Sequence, residues 1–306
     1  MSLVINHNLM AMNAARNLGQ SYGQLSVSTR RLSSGLRVGT AADDAAGLAI
    51  RELMRADISS LQQGVRNAND AISLIQTADG ALQVVDEKLI RMKELALQAA
   101  TGTYNSDQRL IIDSEYQAMA SEITRIANAT DFNGIYLLNG NLSGSISAHN
   151  GHGLDSSGPL KIHFGTGNDS AEDYYYIAVA GATASLLGLG HAAAAKTGTG
   201  DEVNAGKAIS TQALAQAALA AINQAIISKD KIRANLGSMQ NRLENTITNL
   251  TIQGENLSAA ESRISDVDVA DEMTEFTRQQ ILSQSAVAML AQANSLPKMA
   301  LQLISG

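Results

Sequence analysis

Apolar residues recur at steps of three and four at both ends of the chain, which is the spacing of a coiled-coil seam. The N-terminal stripe reads Val4, Ala11, Ala15, Leu18, Tyr22, Leu25, Leu32 and Leu36, with Asn8 and Thr29 as polar interruptions. The C-terminal stripe reads Leu282, Ala286, Met289, Ala293, Leu296, Ala300 and Leu303. An isolated helix or helix pair buries too little apolar surface to be stable in water, so both ends need partners.

The charges of the two ends are opposite. No acid precedes Asp43, whereas the first 37 residues contain Arg16, Arg30, Arg31 and Arg37. The stretch 266–275 has no base and contains Asp266, Asp268, Asp271 and Glu272. This complementarity favours pairing of the N-terminal helix with the C-terminal helix. An intramolecular helical hairpin is the alternative that the same features allow. The predicted subunit-packing residues are Leu18, Tyr22, Leu25, Leu32, Leu282, Met289, Leu296 and Leu303.

The helical spacing continues between the two ends in long stretches. The first runs over residues 45–100, roughly 80 Å at about 1.5 Å per residue, and the segment TGTYNSD ends it. Ser106 is predicted to cap the next helix. The inner face of that helix reads Ile112, Tyr116, Met119, Ile123 and Ile126. Helical spacing resumes at Ile222 and lasts to Ile264, which predicts a mainly α protein built as a long antiparallel bundle with paired terminal helices.

The middle of the chain has a different pattern. The pairs Asn133-Gly134 and Asn139-Gly140 flank residues 135–138, which predicts a β-hairpin because type I′ turns need positive φ. Residues 142–205 lack heptads, and their apolar runs 160–164 and 174–179 predict a small β-containing insertion. The predicted domains are 1–44 and 266–306 as two halves of an inner coiled-coil domain, 45–141 and 206–265 as two parts of a helical core domain, and 142–205 as a variable outer insertion.

Composition excludes several classes of protein. A net charge of -7 argues against nucleic-acid binding, because phosphate binding needs clustered cations. The chain has no Cys, which excludes disulfides, thiolate metal sites and Cys nucleophiles. Aromatic residues make up only 3% of the chain and there are 2 Pro, so the core must be aliphatic and the helices long. No apolar run spans a membrane and no Sec-type signal is visible, which by themselves predict a cytoplasmic protein.

No catalytic, cofactor-binding or metal site is predicted. His149, His152 and His163 lie near one another in sequence, but no carboxylate accompanies them at ligand spacing. The Asp43-Asp44 pair precedes a helix, where the helix dipole explains it. Glycine-rich phosphate-binding motifs are absent, so we expect no enzyme activity and no cofactor.

Several long motifs, in order, resemble bacterial flagellin. They are RLSSGLRVGTAADDAAGLAI (31–50), RNANDAISLIQTADGAL (66–82), RMKELALQAA (91–100), DFNG (131–134) and SRISDVDVADEMTEFTRQQIL (262–282). The resemblance covers everything except roughly 142–205. It implies a structural subunit that polymerises into the helical flagellar filament for swimming. It also implies export by the flagellar type III apparatus without a cleaved signal, so the protein is expected to be secreted and extracellular.

The resemblance also implies partners. They are further copies of the chain, a flagellar export chaperone at the C-terminal helix, the filament cap and hook-junction proteins, and the animal Toll-like receptor for flagellin; nucleic acid and membrane insertion are not expected. The residues that match the receptor-contacting positions are Arg91, Leu95, Gln98 and Glu115, and Leu95 is expected to be an exposed anchor beside Arg91. The residues expected to allow switching between filament forms are Gly35, Asn133, Gly134, Asn139 and Gly140.

The sequence leaves three alternatives open. The hook-filament junction protein shares the terminal helices, although the matches at 91–100 and 131–134 favour flagellin. An enzyme inserted in the variable region of a flagellin scaffold is the second alternative, and residues 142–205 contain no nucleophile or ligand arrangement that supports it. A soluble binding protein or secreted effector is the third. Elongation of filament seeds by the purified protein would distinguish them.

Overall fold

The computed structural model describes residues 8–144, 158–169, 172–190 and 206–305, with no side-chain description at 296–298 and 300–305. Within these ranges the α-helices are α1 (Leu9–Ser34), α2 (Ala45–Ala100), α3 (Ser106–Ala129), α4 (Gln212–Ser265) and α5 (Val269–Ser305). The strands are β1 (Asp131–Phe132), β2 (Ile135–Tyr136), β3 (Leu160–His163) and β4 (Tyr174–Ile177). The mainly α class with small antiparallel hairpins is confirmed.

The chain divides into two compact units. The terminal unit comprises Met1–Ile58 and Gly254–Gly306, and the central unit comprises Ser59–Gln253. α1 and α5 lie in the terminal unit, whereas α3 and the four strands lie in the central unit. The domain boundaries proposed at 44, 141, 205 and 265 stay a prediction.

The ends of α1 are defined by two local devices. The Asn8 side chain accepts a hydrogen bond from Ala11 N at 3.0 Å, which caps the first turn. Gly35 ends the helix in the left-handed conformation at φ +73°, and its N–H donates to Arg31 O. The chain then pairs with the start of the C-terminal segment through an isolated antiparallel bridge between Leu36 and Asp266.

Two clusters of buried side chains form the core of the central unit. The first contains Leu89, Met92 and Leu95 of α2 together with side chains of α3 and the beginning of α4. The second joins Leu74 and Leu82 of α2 to the β-strands and to α4. The predicted inner face of α3 is confirmed, because Ile112, Tyr116 and Ile123 are buried while Met119 and Ile126 pack partly buried against the first cluster.

The cap of α3 is one residue earlier than expected. Asn105, and not Ser106, occupies the N-cap position, and its side chain accepts from Gln108 N at 2.8 Å. Gln108 Oε1 accepts from Asn105 N at 3.1 Å, which completes a capping box. The reciprocal pair explains the shift, because only a cap at Asn105 places an amide three residues later.

One of the two Asn-Gly pairs makes a hairpin turn. Asn133 (φ +53°) and Gly134 (φ +80°) both have positive φ between β1 and β2, as a type I′ turn requires. The second pair does not close a hairpin: Gly140 has φ +99° and leads into a 3₁₀ helix at Asn141–Ser143. Leu137 and Leu138 are fully buried, so the chain enters the core and does not form a second ladder.

The insertion forms a hairpin within its described part. β3 pairs with β4 in antiparallel register, from Leu160 opposite Ile177 to His163 opposite Tyr174. These strands lie within the runs 160–164 and 174–179 that were expected to be extended, so the β-containing insertion is confirmed there. His149 and His152 lie outside the described residues.

Candidate functional site: the terminal helix pair and two polar clusters

α1 and α5 pack against each other in antiparallel orientation. Asn8 Nδ2, at the start of α1, donates to Ala293 O at 2.8 Å. At the other end of α1, Arg31 Nη1 lies 3.4 Å from Glu272 Oε2 near the start of α5. The expected attraction between the basic N-terminal and the acidic C-terminal segments is therefore present at Arg31. Two other arginines of the N-terminal segment do not pair with the acidic segment. Arg30 pairs with Asp43, and Arg37 donates a hydrogen bond to the backbone carbonyl of Ile264.

The pairing buries small residues and leaves large apolar ones uncovered. Ser28, Ser283 and Ala293 are the most deeply buried described side chains of the two helices. Of the predicted packing residues, Tyr22 is 53% exposed and Met289 61% exposed. Of the other described packing residues, Leu18, Leu25 and Leu32 are half-buried and Leu282 is exposed. The side chains of Leu296 and Leu303 lie outside the described residues.

Further apolar side chains extend this uncovered surface. They are Leu9, Met10, Met12, Ile281 and Val287. A groove of about 830 Å³ lies along α1 and α5, lined by Met10, Leu282 and Met289 and otherwise by amide, hydroxyl and alanine side chains. Within one chain the helix pair thus buries only part of its apolar surface, and exposed apolar side chains concentrated on one pair of helices are typical of a protein–protein interface.

The junction after α1 is held by backbone contacts with the end of α4. Arg37 N donates to Ser265 O at 2.7 Å, and Val267 N donates to Gly35 O at 3.0 Å. Three buried side-chain atoms near this junction lack a hydrogen-bond partner among the described residues: Arg31 Nε, Ser265 Oγ and Glu272 Oε1. Buried polar atoms of this kind are uncommon, because each one loses its hydration without replacement.

The Asp43-Asp44 pair has a structural role. Asp44 Oδ1 accepts from Gly47 N at 2.9 Å and so caps α2. Asp43 Oδ2 accepts from Thr40 Oγ1 at 2.9 Å, and this hydrogen bond lowers the pKa of the Asp43 carboxyl below its usual value. Arg30 Nη2 completes the set at 2.7 Å from Asp43 Oδ1. Both carboxylates thus accept hydrogen bonds within a turn.

Besides the turn at Asp43 and Asp44, a cluster of polar side chains lies on α2 and α3 in the central unit. Arg91 Nη2 is 2.7 Å from Glu115 Oε1, and Arg91 Nη1 is 3.0 Å from Glu94 Oε2. The hydrogen bond to Glu115 raises the pKa of the Arg91 guanidinium, with the Glu94 hydrogen bond as the next cause. Gln98 donates to Tyr104 Oη at 3.0 Å. The structure thus brings Arg91 and Glu115 together, and both are solvent-exposed.

Leu95 is not part of that exposed cluster, and the expectation of an exposed anchor was wrong. Its side chain is 1% exposed and belongs to the first core cluster with Leu89 and Met92. The spacing already contained this signal, because steps of three or four from Leu89 reach Met92 and then Leu95. The exposed apolar residues near this cluster on α2 and α3 include Ile90, Leu97, Leu110 and Ile111, and their spacing in the sequence gave no signal that set them apart.

The described residues offer no assembly of groups for catalysis or metal binding. Among them, no three His, Cys, Asp or Glu side chains lie close enough to hold a metal ion. His163 stacks on Tyr174, with ring centroids 5.9 Å apart. No helix in the described part of the chain is long and apolar enough to cross a membrane.

Comparison with known proteins gives consistent matches along the chain. The family model for the bacterial flagellin N-terminal helical region matches residues 5–143, and that for the C-terminal helical region matches residues 219–304. A flagellin from Halalkalibacterium halodurans is 43% identical over 302 residues, covering 99% of this chain and 100% of that protein. A flagellin from Bacillus subtilis is 41% identical over 312 residues, covering 98% of this chain and 99% of that protein.

Among solved structures, the crystal structure of Bacillus cereus flagellin aligns with a TM-score of 0.45 at 28% identity, covering 64% of this chain and 94% of that chain. The two family models leave residues 144–218 unmatched, and β3 and β4 lie in that stretch.

Proposed function

Because this chain belongs to the bacterial flagellin family and is a structural subunit of the flagellar filament, we propose that α1 and α5 form the surface through which its subunits pack. The observation that supports this most is the apolar surface left uncovered on both helices, with Tyr22 53%, Leu282 46% and Met289 61% exposed. When a neighbouring subunit removes apolar surface from water, the contact between the two subunits is stabilised by roughly 25 cal/mol per Å².

The geometry of such contacts explains growth into a filament. An interface between two different surfaces of identical subunits propagates without end unless the rotation between them closes a ring. In this proposal the uncovered face of α1 and α5 packs against a different surface of a neighbouring subunit. Each added subunit therefore presents its own uncovered face to the next subunit.

Seeded elongation tests this proposal. Purified subunit is added to short filament seeds, and the elongation rate is measured by light scattering. Leu282→Asp with Met289→Asp should reduce elongation at least about tenfold, because burying carboxylates in an apolar contact is strongly unfavourable. The matched control, Leu282→Met with Met289→Leu, conserves volume and should elongate normally. Normal elongation of the Asp variant would refute the packing surface.

The location and the export partner follow from the same surface. Flagellin homologues are components of the flagellar filament, and we infer that this chain is secreted by the flagellar type III route and acts outside the cell. An export chaperone covers the apolar face of α5 before export, since Leu282 and Met289 are otherwise exposed to the cytoplasm. Unchanged chaperone affinity after Met289→Asp with Leu296→Asp would rule out this site. The filament cap and hook-junction proteins are the expected contacts at the two ends of the filament.

The exposed cluster on α2 and α3 is the proposed contact for the animal Toll-like receptor for flagellin. Arg91, Gln98 and Glu115 remain the proposed residues. The hydrogen bonds from Arg91 to Glu94 and Glu115 hold the guanidinium at the surface, where a partner can reach it. Leu95 contributes only by packing beneath this cluster.

Switching between filament forms requires an element with two arrangements of similar energy. We propose the junction at Gly35 as that element, together with the turn at Asn133 and Gly134. The segment at Asn139 and Gly140 is the third proposed position. Of these five residues, all but Asn139 have positive φ, so small backbone rotations at them reorient the segments that follow.

A junction protein and an enzyme are the alternatives to a filament subunit. Full-length identity of 43% to a flagellin favours the filament subunit over the hook-filament junction protein. The family is one of structural proteins, and we propose that the chain has no catalytic activity and needs no cofactor.

A further inference from the structure

Methionine is the main oxidisable side chain of this protein. The sequence has 10 Met, no Cys and no Trp. Two-electron oxidants such as hydrogen peroxide react with thiolates and with thioethers, and they convert methionine to its sulfoxide. With no thiol present to compete, the thioethers are the groups on which such oxidants act first.

The exposed methionines are concentrated on the terminal helices. Met10 is 52% exposed, Met12 59%, Met273 46%, Met289 61% and Met299 47%, and all five lie on α1 or α5. The described methionines of the central unit are different. Met92 is fully buried, while Met119 and Met239 are half-buried and pack against the core clusters. The five exposed thioethers of α1 and α5 thus form a reactive set, and Met92, Met119 and Met239 form a protected set. Met54 of α2 is half-buried and lies in the terminal unit, so it belongs to neither set.

Two of the reactive thioethers line the same groove from opposite helices. Met10 of α1 and Met289 of α5 border the groove together with Leu282. The other lining residues are Ala, Ser, Asn and Gln, so these three side chains supply the long apolar groups of the groove. A polar group introduced at Met10 or Met289 changes the character of the whole groove.

We propose that the exposed methionines of α1 and α5 are a modification site for hydrogen peroxide and that their oxidation blocks polymerisation of the free subunit. In this reaction the thioether sulfur attacks one peroxide oxygen and loses two electrons. The S–O bond forms, the O–O bond breaks, and the departing hydroxide takes up the proton of the transferred oxygen and leaves as water. The inference rests on the proposed packing role of α1 and α5.

The effect on assembly follows from the change in polarity. The sulfoxide is polar and chiral, and it disrupts methionine-rich interfaces. Burying it against a neighbouring subunit without a hydrogen bond is unfavourable. The central unit keeps its fold, because Met92 is inaccessible to the oxidant. Assembly in turn protects the same thioethers, so oxidation acts on subunits that are not yet incorporated.

The experiment treats the purified full-length subunit with hydrogen peroxide and maps sulfoxides by peptide mass spectrometry. Met10, Met12, Met273, Met289 and Met299 should oxidise at least about tenfold faster than Met92, and this difference should disappear in assembled filaments. Seeded elongation of the oxidised subunit should fall by about tenfold or more. Treatment with methionine sulfoxide reductases of both stereospecificities, with dithiothreitol as the reductant, should restore it.

Two variants separate oxidation of these residues from other damage. Replacement of the five exposed methionines by Leu conserves volume, and peroxide should not lower the elongation rate of this variant below its own untreated rate. Met92→Leu is the matched control, and peroxide should inhibit it as strongly as the unaltered protein. Undiminished elongation of the oxidised unaltered protein, failure of the reductases to restore it, or equal inhibition of the five-Leu variant would overturn the inference.

The packing proposal fails independently, if Leu282→Asp with Met289→Asp elongates normally. Inhibition of that variant together with full activity of the oxidised protein would overturn only the role of oxidation. Should the five-Leu variant not elongate even without peroxide, Met10→Leu with Met289→Leu replaces it. Whatever the variants show, restoration of elongation by the reductases tests whether methionine oxidation inhibits the unaltered protein.

Discussion

Arg31 and Glu272 join α1 to α5 through a single long contact, with Arg31 Nη1 3.4 Å from Glu272 Oε2, while Arg31 Nε and Glu272 Oε1 are buried without a partner among the described residues. A guanidinium and a carboxylate pair best through two parallel hydrogen bonds. We propose that a displacement of α1 along α5 brings these two atoms together and so gives the pair a second arrangement, which would serve switching between filament forms.

Arg31→Lys should restrict this switching. Lysine retains the charge but offers no planar pair of donors, so the two-bond arrangement is lost. We expect filaments of the variant to hold one waveform through changes of pH and salt that transform unaltered filaments, as seen by dark-field microscopy. The control is Arg30→Lys, which alters an exposed ion pair with Asp43 and should leave the waveform unchanged. Normal transformation of Arg31→Lys filaments would contradict this role.

Gly35→Val tests the backbone at the same junction. The φ of +73° is unfavourable for a β-branched residue, so valine must change the end of α1 and the contact of Gly35 O with Val267 N. We expect an altered or fixed waveform in the assembled filament. Asn tolerates positive φ, so Gly35→Asn should preserve it. Unaltered waveform and motility in the valine variant would exclude the junction as the switch.

Arg91 and Leu95 should have separable effects. Leu95→Ala removes a buried side chain and should lower the free energy of unfolding of the central unit by about 2–5 kcal/mol. Arg91→Ala breaks exposed, solvent-screened ion pairs and should leave the free energy of unfolding nearly unchanged while reducing activation of the Toll-like receptor by monomer. Urea titration and a receptor reporter assay measure the two effects, with Leu97→Ala as an exposed leucine control for stability. Full receptor activation by Arg91→Ala would remove Arg91 from the contact.

Acid should weaken the link between α2 and α4. Arg233 Nε lies 2.7 Å from Asp79 Oδ1, and this hydrogen bond lowers the pKa of the Asp79 carboxyl below 3.8. Because the pKa is lower in the folded state, the link stabilises above the unfolded pKa and is lost as pH falls through the folded value.

The comparison of Asp79→Asn with the unaltered subunit measures this link. At pH 7 the variant should be less stable by about 1 kcal/mol in urea titration, and the difference should shrink towards zero as pH falls through the lowered pKa of Asp79. Asp70→Asn, at an exposed carboxylate of the same helix, is the control. A difference that stays constant from pH 7 to pH 2 would show that the charge of Asp79 is not its cause.

Much of the fold follows from local sequence rules. Steps of three and four predict the five long helices of the described residues, since a helix of that length must cover one apolar face. The turn at Asn133-Gly134 was predictable because both residues tolerate positive φ. The pair Asn139-Gly140 has the same chemistry but no strand to pair with, because burial of Leu137 and Leu138 directs the chain into the core.

The site was less predictable than the fold. The apolar stripes indicated that α1 and α5 need partners, and their exposure in the subunit agrees with that. The unpaired atoms of Arg31 and Glu272 depend on how helices more than 200 residues apart in sequence meet, which no local pattern encodes. The phase of the core stripe through Leu89 and Met92 predicts a buried Leu95, whereas a match to a family's receptor position carries no information about burial.

Amide hydrogen exchange in dilute subunit and in filament tests most directly the claim that α1 and α5 pack between subunits. We expect residues 18–32 and 289–303 to exchange quickly in the subunit and at least about a hundredfold more slowly in the filament, because neighbouring subunits cover the apolar face. Residues 112–127 of α3, whose inner face is buried within the subunit, should exchange slowly in both states. Slow exchange of the terminal helices in dilute subunit, unchanged on assembly, would contradict the claim.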